Sequence, residues 1–197
     1  MGTENLMSEA RPADLELAQR AASGDDGAWR EIYTATRERL FALLSYHIGN
    51  REEALDVLQE TYVGAVRNIG NYRGDGPLEA WLAGIALRRA RDWKRRLLGR
   101  FKQTDTLEGD LEQPLPQTDP EQRLRLRQAL RDLPERQRGA VLLHVWMGYS
   151  FREVGEMLGC SEATARVHAH RGREALRGLL ADSPNEPLTP RFQEQKS

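Results

Sequence analysis

The sequence predicts an all-α fold: two small helical domains joined by a flexible acidic linker, the second containing a helix-turn-helix. Three observations lead there. Apolar residues recur at helical spacing almost everywhere, and no segment alternates convincingly as a strand. The stretch 103–118, "QTDTLEGDLEQPLPQT", breaks that periodicity with three isolated leucines and two prolines and carries no basic residue. Beyond it, "FREVGEML" and a last helical run are separated only by Gly159, Cys160 and Ser161, the layout of a helix-turn-helix. At 197 residues, 39% hydrophobic and 30% charged, the chain can bury one or two small cores but not a large enzyme fold.

Residues 1–13 read as a polar tail, and "DLELAQRAASGD" as a short helix closed by Gly24. A long helix follows over "DGAWREIYTATRERLFALLSYHIGN". Trp29, Ile32, Tyr33, Leu40, Leu43 and Leu44 form its apolar stripe, and Gly49 stands where it should end. The third helix, "REEALDVLQETYVGAVRNI", is broken by "NYRGDGP", and Pro77 suits the first turn of "PLEAWLAGIALRRARDWKRRLL". These four helices make a first domain over 14–100, with the linker over 101–118. The second domain, 119–180, opens with Asp119 as N-cap and Pro120 in the first turn. "PERQRGAVLLHVWM" ends at Gly148, Ser150 and Glu153 match a capping box, and Ser161 caps a helix running to about Leu180. Residues 181–197 hold three prolines and read as a mobile tail.

The net charge is only −1, but its signs are sorted along the chain. Residues 1–60 hold twelve acids against six bases, 88–102 hold eight bases against one acid, and 103–122 hold six acids and no base. Such sorting favours a polyanion or an acidic partner at one patch and repels it at the others. One cysteine forms no internal disulfide, which fits a reducing compartment. The chain has no apolar run of membrane-spanning length and no signal-peptide pattern, so membrane insertion is not expected and the expected location is the cytoplasm.

In the last helix Ala165, Ala169, Gly172 and Leu176 share a small, apolar stripe that can sit against Val154 and Leu158. The other side carries Thr164, Arg166, Val167, His170, Arg171 and Arg173, a set able to bind phosphates and approach base edges. A solvated surface helix would show similar charge. Metal binding is not expected: His168 and His170 diverge by about 160° around the helix, and Cys160 lacks a paired thiol, so it should fill a small buried space in the turn. An enzyme built on His144, Cys160 and His168 lacks a supporting constellation. No catalytic residue, metal or cofactor is expected.

On the third helix Leu55, Leu58, Tyr62, Val66 and Ile69 share one side, expected to be core, while Asp56, Gln59, Glu60 and Val63 share another. A valine among carboxylates suits an interface, though a solvated face with one stray valine reads equally well. On the fourth helix Leu78, Trp81, Leu82 and Ile85 should be buried, with Arg88, Arg91, Lys94 and Arg95 on another side. Basic charge beside the aromatic-bearing loop 71–77 is what melted DNA needs, and a merely solvated charge run is the other reading.

"ALRDLPERQRGAVLLHVWMGYSFREVGEMLGCSEATARVHAHRGREALR" resembles region 4 of bacterial RNA polymerase sigma factors of the extracytoplasmic-function (ECF) type. "EEALDVLQETYVGAVRNIGNYRGDGPLEAWLAGIALRRARDWKRR" resembles their region 2. The resemblance covers roughly residues 14–180, with both blocks in the family's order, and it implies a promoter-specificity subunit. Asp56, Gln59, Glu60 and Val63 would then dock on core RNA polymerase. Tyr72, Arg73, Arg88, Arg91, Lys94 and Arg95 would meet the −10 element of promoter DNA, with Arg88 a departure from the asparagine common there. Thr164, Arg166, Val167, His170, Arg171 and Arg173 would meet the −35 element. The family also implies an anti-sigma factor as partner. A stand-alone helix-turn-helix regulator is the alternative, and binding to core polymerase separates the two.

Overall fold

Local chemistry sets the ends of most helices in the computed structural model, which describes residues 12–100 and 120–181. Every regular element among them is helical: α1 (Pro12–Ala22), α2 (Asp26–Ile48), α3 (Arg51–Asn68), α4 (Leu78–Arg100), α5 (Pro120–Asp132), α6 (Glu135–Val141), α7 (Phe151–Leu158) and α8 (Glu162–Ala181). A 3-10 turn, Ile69–Asn71, follows α3, and a π-type turn, Leu142–Trp146, follows α6. Pro12 and Ala13, expected in the tail, begin α1. The linker 101–118, the Asp119 cap and the rest of both tails lie outside the described residues.

Asp25 caps α2 by accepting from the amides of Gly27 and Ala28 at 2.7 and 3.2 Å, and Asn50 caps α3 by accepting from Glu53 at 3.1 Å. Gly49 ends α2 at φ +85° and Gly159 ends α7 at φ +65°, left-handed positions that a side chain would strain. The Ser150–Glu153 box at α7 is complete. Pro77 sits one position earlier than expected, its carbonyl accepting from the amides of Ala80 and Trp81. The first amide of α4, at Leu78, donates to Asp14 Oδ2 of α1 at 2.9 Å.

The two helical domains pack against each other, so their cores meet. Ile32, Leu40, Leu44, Val57 and Leu82 belong to the same connected cluster as Leu143, Val154 and Ala165. Met157 Cγ of α7 lies 3.6 Å from where a Cβ on Gly84 of α4 would stand, an ordinary van der Waals contact between the two helices. Within the second domain, α8 runs tightly along α6: a Cβ on Gly172 would meet Val141 Cγ2 at 2.7 Å and the Gln137 carbonyl at 3.0 Å. Gly172→Ala is therefore expected to cost about 1–3 kcal/mol, read as a lower urea midpoint. Gly178→Ala on the same helix meets nothing within 4 Å and should be at least as stable as the native chain.

Candidate nucleic-acid interface

The buried side of α3 is not the one its large apolar residues mark. Ala54, Val57, Leu58, Thr61, Gly64 and Ala65 face inward, about a quarter turn from the expected stripe. Leu58 and Ile69 stay buried, but Leu55 is 37% exposed and Val66 54%. Small residues take the contact side, and at Gly64 the Arg89 guanidinium of α4 fills the space, its Nη2 lying 3.0 Å from where a Cβ would stand. The larger ones are left as a strip with Val63, 51% exposed, and with Tyr33 of α2, 44% exposed. Tyr33 meets Tyr62 with the rings tilted and their centroids 4.9 Å apart, and the Tyr62 hydroxyl shares a 2.8 Å hydrogen bond with Thr36. Asp56 and Gln59 are exposed beside this strip, while Glu60 is held by Arg96 at 3.0 and 3.1 Å. Sequence reasoning missed Leu55, Val66 and Tyr33 because apolar character was taken as burial.

The loop 71–77 closes on itself. Tyr72 is 8% exposed, meets Trp81 edge-on at 5.9 Å, and donates its hydroxyl to the Gly76 carbonyl at 2.6 Å. Burial pushes its phenol up to about 12, so it stays a donor. Tyr72, Arg73, Trp81 and Arg88 line a cavity of about 190 Å³, and Glu153 and Met157 of α7 line its far side. The basic row of α4 is thereby divided. Arg88 faces this cavity, Arg91 lines a second one, Lys94 pairs with Glu135 of α6 at 3.4 Å, and Arg95 pairs with Asp92.

The seam between the two helix groups is fixed by a residue that sequence reasoning passed over. Arg138 is buried, and its guanidinium donates to the carbonyls of His47, Arg131 and Leu133, the last two at 3.0 Å. Beside it, His47, Leu87, Arg91, Glu135, Leu158 and His168 line a cavity of about 430 Å³. Burial, then the cations Arg138, Lys94 and Arg91, lower the His47 imidazole from 6.5 to about 3. The folded state therefore binds fewer protons here than the unfolded chain, so stability falls with acidity, from about pH 6.5 down toward 3. Between pH 7.5 and 5.5 the native chain should lose about 1.4 kcal/mol more than His47→Gln, measured as urea midpoints at both pH values.

On α8, Thr164, Arg166, Val167, His170, Arg171 and Arg173 are all exposed, away from the buried Ala165, Ala169 and Gly172. Thr164 shares a 2.8 Å hydrogen bond with Ser161, and Arg166 pairs with Glu162 at 3.0 Å. Cys160 is partly buried against the core. Among the described residues no cluster of three or more His, Cys, Asp or Glu could hold a metal ion, and no helix is long and apolar enough to cross a membrane.

The family described as "Sigma-70 region 2" matches residues 32–100, and "Sigma-70, region 4" matches residues 123–176. The ECF RNA polymerase sigma factor SigE of Mycolicibacterium smegmatis is 35% identical over 175 residues, covering 84% of this chain and 67% of that protein. The chain belongs to the ECF sigma factors of the sigma-70 family. Another relative, RNA polymerase sigma factor CarQ of Myxococcus xanthus, is 32% identical over 167 residues, covering 83% of this chain and 95% of CarQ. Among solved structures, CnrH in complex with the cytosolic domain of CnrY matches with a TM-score of 0.66 at 27% identity, covering 87% of this sigma factor and 99% of that chain. The sigma factor RpoE of Bartonella quintana, solved with the anti-sigma factor NepR, shares the fold at 22% identity and a TM-score of 0.62. In family terms, α2 to α4 carry region 2 and α5 to α8 carry region 4.

Proposed function

We propose that this sigma factor docks on core RNA polymerase through the outer side of α3, reads the −10 element with loop 71–77 and α4, and reads the −35 element with α8. The observation that carries the reading is the exposed strip of Leu55, Val63 and Val66 beside Asp56 and Gln59. A helix packed through its small residues has no reason of its own fold to show its large ones to water, and an apolar centre with a charged rim suits a partner protein. Arg73, Arg88 and Arg91 in region 2, and Arg171 and Arg173 in region 4, have no ion-pair partner among the described residues and suit phosphate.

The packed seam sets a condition on this activity. Promoter elements named for positions −10 and −35 lie roughly 25 base pairs apart, on the order of 85 Å along the duplex at 3.4 Å per step. Here α7, half of the helix-turn-helix, lines the cavity of the −10 loop. Reading both elements at once requires the seam to open, with core polymerase supplying the binding energy that favours the open form. An anti-sigma factor would favour the opposite. CnrH, solved with a CnrY domain bound, supports a second protein partner of this kind. Such work places the chain in the cytoplasm with polymerase and promoter DNA.

Pull-down of the full chain with core polymerase, followed by run-off transcription, tests the proposal. Binding and a defined start site are expected. A chain that binds duplex DNA but not core would instead be a stand-alone regulator.

A further inference from the structure

Phe151 is the first residue of α7, and its ring touches two planar groups. His144, on the π-type turn, stacks on it with ring centroids 3.8 Å apart and planes 28° apart. The Arg166 guanidinium of α8 lies over the same ring at 4.5 Å. Both contacts are to one ring, so Phe151 joins the π-type turn through α7 to the recognition helix in a single stack of planar groups. His144 is itself fixed: Nδ1 lies 2.8 Å from the Tyr149 carbonyl, which only accepts, so this nitrogen carries the hydrogen. Arg166 is held from a second direction by Glu162 at 3.0 Å. Its neighbours Arg171 and Arg173 have no ion-pair partner among the described residues.

The stack orders one arginine of this exposed face. Stacking uses the face of the guanidinium and leaves N–H groups on its edge able to donate. A side chain ordered in advance gives up less rotamer freedom on binding than a free one. Arg166 also stands in the N-terminal part of α8, where a recognition helix meets base edges. Its planar fork matches O6 and N7 of guanine.

We propose that Arg166 determines specificity in the −35 reader by bidentate contact with a guanine, and that Phe151, backed by His144, is its positioning residue. The inference rests on α8 being that reader. The test uses holoenzyme reconstituted from the full chain and core polymerase, with a promoter from which it initiates and duplexes carrying each −35 base pair replaced in turn.

One G·C pair is expected to matter about ten-fold to the native protein, within the range of a single bidentate contact. Arg166→Lys should abolish that preference and leave the others. Phe151→Leu should abolish the same preference, add nothing in the Arg166→Lys background, and be rescued by Phe151→Tyr. Equal weakening by Phe151→Leu on every duplex would overturn the positioning role, and a preference surviving Arg166→Lys would overturn the specificity role. Arg166 is exposed, so its variant keeps the question decidable if Phe151→Leu does not fold. A preference removed by Arg171→Ala instead would sink this inference while sparing α8 as reader. A native holoenzyme indifferent to every −35 base would sink the reading of α8 itself.

Discussion

Val63→Asp in the full chain is expected to weaken binding to core RNA polymerase by roughly 30- to 1,000-fold, the loss typical of a central interface residue. The valine is half exposed, so the fold has little stake in it. On the free protein the change places a carboxylate where water already reaches. In a complex the same carboxylate would be desolvated among Leu55 and Val66 without a partner, which is where the cost arises. Val63→Leu should bind nearly as the native chain does. Asp56→Lys tests the rim, and it is a cleaner change than one at Glu60, whose reversal would also release Arg96. The measurement is affinity for core by fluorescence anisotropy, with circular dichroism to check helicity. An unaltered dissociation constant for Val63→Asp would remove the α3 strip from the interface.

The second large effect lies at Arg138. Its guanidinium serves three carbonyls, at the end of α2, in the last turn of α5 and in the turn after it. Arg138→Met keeps much of the volume and removes every donor. Each buried acceptor left without a donor costs about 1 kcal/mol at least, so about 3 kcal/mol or more is expected. For a chain of this size that is a fall in Tm of roughly 6–12 °C. Arg138→Lys should rescue only part of it, since a compact ammonium does not reproduce the planar fork. Loosening the seam should also expose His47, so the acid-dependent loss of stability described for the native chain should shrink in Arg138→Met. A variant melting within about 2 °C of the native chain would show that the carbonyls find other donors.

The helix-turn-helix was legible from sequence because its rules are local. Ser150 and Glu153 stand three apart, Gly159 follows the last apolar residue of α7, and Ala165, Ala169 and Gly172 repeat at helical spacing. None of these needs knowledge of a distant neighbour. The facing of α3 was not legible, because it depends on how closely α2 and α4 approach, and Gly64 together with Thr61 was the available clue. Arg138 looked like one more solvated arginine in "PERQRGAV". Its position directly before the apolar run of α6 was the signal that it is carried inside. The π-type turn left no sequence mark, and with it the contact of His144 on Phe151 was hidden. The exposed residues of α8 followed directly from the stripe opposite them, whereas the placing of Arg88 and Lys94 in the α4 basic row came from α7 and α6, which sequence spacing does not bring near.

The carboxylate of Asp14 has a practical bearing on how region 2 is isolated for study. The family match begins at residue 32, yet the first amide of α4 donates its hydrogen bond to a residue well upstream of that point. A fragment cut at the start of the match would discard all of α1 and leave the head of α4 frayed. Weak DNA binding by such a fragment would then report careless excision, not chemistry, and Pro12 is the sounder boundary.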